Sequence, residues 1–373
     1  MKKAVSLFDF QPHLPKYHLK QKDILDWIKK AHRRSDEVQA KIKIDFPLER
    51  LIERYAVKDN LIEQRYFEFE DLSNNDWNTN EIYRVTESTP MGMAIDQRHQ
   101  FFQTRANEIL ELLYPSHVPS PSHLIHVTCT GYLAPSPAQA LVSKRNWSET
   151  AVTHAYHMGC YASMPAIRMA QALQLKSQKT IDVVHTEMCS LHMNPSMHEP
   201  EQIVVQTLFA DGHIKYQVGE PNDDQSALEI ILVKEKIVPE TIDGMTWNPA
   251  PWGMQMTLAK AVPSKLKEII SDFCRQLITE AGLDFEEIIN SSIFAIHPGG
   301  PKIIDSIQAE LKISEEQLSA SKKILRERGN MSSATLPHIW DQILKSKPAS
   351  GQYVVSFAFG PGLTIFGAVL RVK

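Results

Sequence analysis

Cysteine is scarce in this chain: Cys129, Cys160, Cys189 and Cys274 are all there is in 373 residues. So few, so widely spaced, argue against a disulfide scaffold and leave each one buried, reactive or incidental. Long apolar runs are missing too, since no stretch approaches the roughly 20 residues that a bilayer-crossing helix needs. Asp9, Pro12, His13, Pro15 and Lys16 interrupt the N-terminal region before a secretory apolar segment can form. The sequence therefore predicts a cytoplasmic protein with no membrane contact. Charge of one sign is also absent: 40 Lys and Arg stand against 44 Asp and Glu, a net charge of -4. That balance gives no general attraction to a phosphate backbone, so no nucleic-acid partner is expected and any anion binding must be local.

What is present is a globular composition, 43% hydrophobic and 23% charged, in a chain long enough for one large duplicated fold or two to three ordinary domains. The first third reads as covering helices. Ile24, Leu25, Trp27 and Ile28 recur among Lys and Arg across 22–40, and Phe101, Phe102, Ile109 and Leu112 across 100–114. The basic run Lys29, Lys30, His32, Arg33, Arg34 reads as a solvated helix face. From Ser122 the strand-like segments HLIHVTCTG, TAVTHAYHMGC and IDVVHTEM alternate with the segments PAQALVSKRN and YASMPAIRMAQALQL. Such alternation predicts an α/β fold, a mostly parallel sheet with helices on its faces. After a charged, proline-containing middle the theme returns. GCYASMPAIRMAQAL followed by IDVVHTEM can be laid over GNMSSATLPHIWDQIL followed by YVVSFAF. The overlay suggests an internal duplication with halves at 1–235 and 236–373, and puts Cys160 and Asn330 at equivalent helix starts, each after a glycine.

Cys160 sits where His157-Met158-Gly159-Cys160-Tyr161 carries a strand into a helix. A thiol at a helix N-terminus feels the dipole and the unpaired N–H groups, which lower its pKa and make it nucleophilic. A buried structural cysteine is the plain alternative. His297, in Ile296-His297-Pro298-Gly299-Gly300, ends an apolar strand, the place where catalytic groups of α/β sheets collect. A satisfied core histidine is its alternative. Asn330, before Met331-Ser332-Ser333, reads by itself as a helix N-cap. Phe357-Ala358-Phe359-Gly360-Pro361-Gly362 is a tight turn between strands whose glycines permit close backbone approach.

Jointly, GCYAS, FAIHPGGP, GNMSSA and FGPGLT, in this order and at these distances, resemble the chalcone synthase or type III polyketide synthase family. The resemblance implies the duplicated thiolase fold, five-layered αβαβα. It runs from about Arg54 to the C-terminus and is weakest in the N-terminal helices and across 219–262. It implies an acyltransferase that loads an acyl-CoA starter on Cys160 and extends it by decarboxylative Claisen condensation with malonyl-CoA. Cyclisation follows, to a pyrone- or resorcinol-type product. By motif, Cys160 is the nucleophile, His297 its imidazolium partner and a donor to the thioester carbonyl, and Asn330 a second donor. Phe209 resembles the gatekeeper between CoA tunnel and cavity. Cys129, Cys189, His192, Met256 and Ser332 fall at cavity positions, and Arg54, Lys58 and Lys302 would meet CoA phosphates. Arg54 and Lys58 sit one residue out of register with Arg65. No metal, nicotinamide or flavin cofactor is implied. The implied partners are malonyl-CoA, an acyl-CoA starter or an acyl carrier protein delivering it, and a second copy in a homodimer.

Several positions depart from the plant enzymes of that family. Cys129, Cys189 and His192 stand where those carry threonines and Met256 where they carry a phenylalanine, which argues against chalcone as the product. Ala134 stands for a methionine that reaches the neighbouring subunit, and Ala358 for a glycine. The cluster His185, Cys189, His192 and His198 has a rival reading as a metal site. Alternation along a strand would not turn all four inward, so no metal is expected. On the same fold the alternatives are a ketoacyl synthase III-like single condensation and a degenerate, non-catalytic acyl-binding protein. A papain-like hydrolase shares the order Cys, His, Asn but carries its nucleophile near the mature N-terminus.

Overall fold

All eight residues of the strand Ile181–Met188 are buried, so a layer covers it on each face. Its alternate side chains separate accordingly: Ile181 and Val183 join one apolar cluster, Val184 and Met188 another. The strands Tyr353–Gly360 and Thr364–Val372 divide in the same way. Ala358, Phe366, Ala368 and Leu370 share the first cluster, while Val355, Phe357, Phe359, Ile365 and Val369 belong to a third. Two helices fill the shared cluster, Ser163–Ser177 through Ala166, Ile167 and Ala170, and Thr335–Lys345 through Leu336, Ile339 and Trp340. Gln21–Val38 and Ile95–Leu113 cover one outer cluster. Val262–Glu280 and Ile303–Leu311 cover the other. The result is the five-layered αβαβα arrangement. This computed structural model describes residues 4–40, 48–300 and 302–373.

The duplication is visible in strand pairing. His123–Thr128 and Ile181–Met188 run parallel, and Asp211–Gly219 returns antiparallel. Ile293–Ile296 and Tyr353–Gly360 likewise run parallel, and Thr364–Val372 returns antiparallel. Parallel neighbours need a crossover, and the two central helices lie on those crossovers. Ser6–His13 closes the first set and Leu228–Ile237 the second, and these two strands pair with each other. Ala151–Tyr156 adds an outer strand, giving a nine-stranded sheet.

The first third is less purely helical than its sequence pattern predicts. Ser6–His13 is a sheet strand, and Tyr17–Lys20 pairs with Gln64–Phe67. A bulge between Phe8 and Gln11, with Asp9 at φ 52°, breaks the alternation that would have marked the strand. Among the described residues no helix is long and apolar enough to cross a membrane.

Candidate active site

After Ala151–Tyr156 the chain turns through His157, φ 60°, and Gly159, φ 82°, to reach Cys160. A Cβ on Gly159 would lie 2.6 Å from Pro361, and one on Gly360 would lie 2.0 Å from the Tyr161 ring. The glycine-rich turn of the second half therefore rests directly on the cysteine loop of the first, at distances only glycine permits. Cys160 is 8% exposed. Burial pushes its thiol up to about 12; hydrogen bonding from the Ser332 and Asn330 side chains opposes this, and the charge of Glu187 adds to it. This direction is opposite to the helix-dipole expectation. The helix starts only at Ser163, and loss of water outweighs what its first turn supplies.

Asn330 follows Gly329, whose φ of 74° ends the preceding helix Ser319–Arg328. Its Oδ1 accepts the Ser332 N–H at 2.8 Å and the Thr335 hydroxyl at 3.3 Å. The amide orientation is thereby fixed, and Nδ2 donates to the Pro298 carbonyl at 3.2 Å and faces Cys160. Ser332 holds a left-handed φ of 49°, a strained state that this hydrogen bond supports. His297 precedes Pro298, and its backbone N–H is tied to the Phe357 carbonyl at 2.8 Å. Its ring is fully buried, and both nitrogens lack a protein partner. Burial lowers its pKa to about 3. Burial thus favours a neutral thiol and a neutral imidazole, where the sequence predicts an imidazolium, and a neutral imidazole keeps one donor and one acceptor free.

Cys160 opens into a narrow cavity of about 40 Å³. Its wall includes Cys129, Cys189, His192, Phe209, Met256 and Ser332. His192 Nδ1 accepts the Met254 N–H at 3.0 Å, so Nε2 carries the proton and donates to the Thr130 carbonyl at 2.9 Å. Burial lowers its pKa to about 3, and its ring serves as a fixed wall. Phe209 caps the helix Pro200–Leu208 and pairs with Asn330: Ala210 N–H donates to the Asn330 carbonyl at 2.8 Å, and Asn330 N–H to that of Leu208 at 3.1 Å.

Two residues here escaped sequence reasoning. Trp247 stands opposite Met256 in the hairpin Met245–Ala250/Gly253–Leu258, lines the cavity, and donates its indole N–H to the Cys129 carbonyl at 2.7 Å. Its segment is where the family resemblance is weakest. Glu187 is fully buried behind Cys129 and accepts from Cys129 N–H at 3.0 Å, Thr130 Oγ1 at 2.8 Å and the Ser333 hydroxyl. An acid at a buried position of the strand Ile181–Met188, which also carries Asp182, was the signal that could have marked it.

Arg54, Lys58 and Lys302 do not line this cavity. The Arg54 guanidinium lies over the Tyr55 ring, Lys58 borders a separate cleft with Lys22, Lys29 and Glu53, and Lys302 is exposed at the start of Ile303–Leu311. His185 bonds to Ser333 and Tyr216, and His198 lies 3.5 Å from Asp36, so the four-residue metal reading is dispersed. Among the described residues no group of three or more His, Cys, Asp or Glu is placed to hold a metal.

Five layers, a duplicated topology and a buried cysteine beside an asparagine from the other half define a thiolase-fold acyltransferase. Comparison with known proteins agrees. Residues 229–373 match the sequence model of the chalcone and stilbene synthases, C-terminal domain. Type III polyketide synthase C of Arabidopsis thaliana is 27% identical over 259 residues, covering 67% of this chain and 67% of that one. The fold is shared with PKS-I of the brown alga Ectocarpus siliculosus, TM-score 0.84 at 22% identity over 99% of this chain and 98% of that one. It is also shared with the C-terminal type III polyketide synthase domain of Steely1, a type I/III hybrid from Dictyostelium, TM-score 0.82 at 24% identity over 99% of each chain. The chain is thus similar to type III polyketide synthases in sequence over two thirds of its length and in fold throughout.

Proposed function

We propose that this protein loads an acyl-CoA starter on Cys160 and extends it with malonyl-CoA. The observation that carries this reading is the Asn330 amide, turned by its own Oδ1 contacts toward Cys160 and toward the carbonyl of Pro298, the residue after His297, whose buried ring has no protein partner on either nitrogen. The Cys160 sulfur attacks the starter thioester while its proton passes to His297; the bond to CoA breaks, and the proton leaves with the CoA thiol. Malonyl-CoA then loses its carboxylate as carbon dioxide. The electron pair left behind forms an enolate, whose oxygen takes hydrogen bonds from Asn330 Nδ2–H and the His297 N–H. The enolate carbon attacks the Cys160 thioester, leaving the lengthened chain on CoA, and the released sulfur takes up a proton; transfer of that chain back to Cys160, with loss of the CoA thiol, readies the next extension. None of these steps calls for a metal, nicotinamide or flavin.

Phe209 serves as the gate between tunnel and cavity in this reading, and Arg54, Lys58 and Lys302 are the cations proposed for CoA phosphates. A cytoplasmic homodimer is proposed with it. The apolar lining favours a fatty acyl starter and a pyrone or resorcinol product. The test is incubation with malonyl-CoA and a panel of acyl-CoA esters, read by mass spectrometry beside Cys160→Ala. Products two carbons longer per step that vanish in Cys160→Ala are expected. No decarboxylation and no acylated Cys160 with any starter would overturn the reading, and a product fixed at one extension would favour single condensation.

A further inference from the structure

We infer that Arg65, outside the cavity, is a positioning residue that holds the gate residue Phe209 and the catalytic amide of Asn330 as one rigid unit. The inference rests on the condensation proposed above. Arg65 is 0% exposed. Its Nε donates to Gln21 Oε1 at 2.8 Å, and its Nη1 donates to the carbonyls of Gln206 at 2.9 Å and Phe209 at 2.6 Å. Those carbonyls end the helix Pro200–Leu208, where backbone acceptors lose their helical partners and the dipole favours a cation.

The same guanidinium stem supports the other side of the gate. A Cβ on Gly329 would lie 3.0 Å from Arg65 Cγ and 3.1 Å from the Leu208 carbonyl, so the residue before Asn330 is pressed onto Arg65. Asn330 in turn exchanges backbone hydrogen bonds with Leu208 and Ala210, on either side of Phe209. Gln21 anchors the assembly to the first helix, donating to the Val57 carbonyl at 2.5 Å and the Thr207 carbonyl at 2.7 Å. Burial lowers the Arg65 pKa to about 9, with Asp211 opposing, so the group stays charged at neutral pH. A planar fork reaching a side-chain oxygen and two carbonyls at once is a task lysine cannot perform, because its ammonium is a point charge on a flexible stem.

The experiment is a double-mutant cycle on malonyl-CoA decarboxylation with Arg65→Lys and Asn330→Ala. Continued resistance of Cys274, buried in Val262–Glu280, to iodoacetamide reports an intact fold. In the otherwise wild-type protein, Arg65→Lys is expected to lower kcat at least tenfold with KM for malonyl-CoA changed less than threefold. In the Asn330→Ala background the same change is expected to cost less than twofold. Additive losses, or a kcat for Arg65→Lys within twofold of wild type, would overturn the inference. If Arg65→Lys does not fold, Gln21→Leu, which removes the Nε acceptor together with the Gln21 bonds to the Val57 and Thr207 carbonyls, takes its place in the cycle with an expected loss of threefold or more; no loss overturns the inference. Failure of the wild-type protein to decarboxylate malonyl-CoA sinks the condensation itself and is seen before any variant is compared.

Discussion

The free Cys160 thiol should react as a neutral, buried group. Its pKa of about 12, against 9.0 for the ordinary thiol, corresponds to roughly 4 kcal/mol against the thiolate. At pH 8 only about one molecule in ten thousand then carries the anion. With iodoacetamide, which needs the thiolate, the rate of Cys160 modification should rise close to tenfold per pH unit from 6.5 to 9.5. Ser332→Ala and Asn330→Ala should each slow it, because both side chains favour the anion. The assay is loss of malonyl-CoA decarboxylation against time, with modification located by peptide mass spectrometry. A plateau above pH 6 would refute the reasoning, since it means that Cys160 and His297 already form a thiolate–imidazolium pair in the empty site. In that case His297, drawn to about 3 by burial, must gain more from the thiolate than it loses to desolvation.

Two further predictions concern the frame around the site. Gly360→Ala places a methyl group 2.0 Å from the Tyr161 ring, so it should cost about 1–3 kcal/mol by overpacking and lower the urea midpoint, with activity falling as Tyr161 moves the adjoining cysteine. Glu68 is fully buried; burial raises its pKa, but His213 and Arg105 outweigh this and bring it from 4.5 to about 2. A carboxyl depressed in the folded state contributes stability above pH 4.5 and loses it as pH falls toward 2, so Glu68→Gln should cost about 3 kcal/mol at pH 7 and less at pH 3 in urea titrations.

The parts of the site visible in the sequence were those tied to backbone constraints. Gly159 and Gly360 face contacts at 2.6 and 2.0 Å, too close for a side chain, Gly329 combines a 3.0 Å contact with a left-handed φ of 74°, and each stands in one of the motifs that brought Cys160, Asn330 and the C-terminal turn to notice. The duplication was readable because both central helices carry the same apolar rhythm into the same shared cluster. What the sequence hid depends on the other half of the molecule. The burial that raises the Cys160 thiol comes from packing that no local spacing encodes. Trp247 reaches the cavity from a hairpin of the weakly similar segment, and the strand Ser6–His13 hides behind its bulge.

Residue type also misleads within the cavity, because its polar groups differ in how much hydrogen-bonding capacity remains. His192 spends both nitrogens on Thr130 and Met254, so it has neither a lone pair for a metal nor a site for a proton. Glu187 directs its oxygens to Cys129, Thr130 and Ser333. His297, equally buried, has no partner on either nitrogen, and the Asn330 amide nitrogen has a single long contact at 3.2 Å beyond its approach to Cys160. Leaving such groups unpaired costs free energy in the empty protein. That cost is offset only when something arrives that accepts from both, and a thioester carbonyl whose oxygen becomes an enolate accepts more strongly in the transition state than in the ground state. The groups with capacity to spare are therefore the ones the proposed condensation would use, and the satisfied ones hold the structure around them.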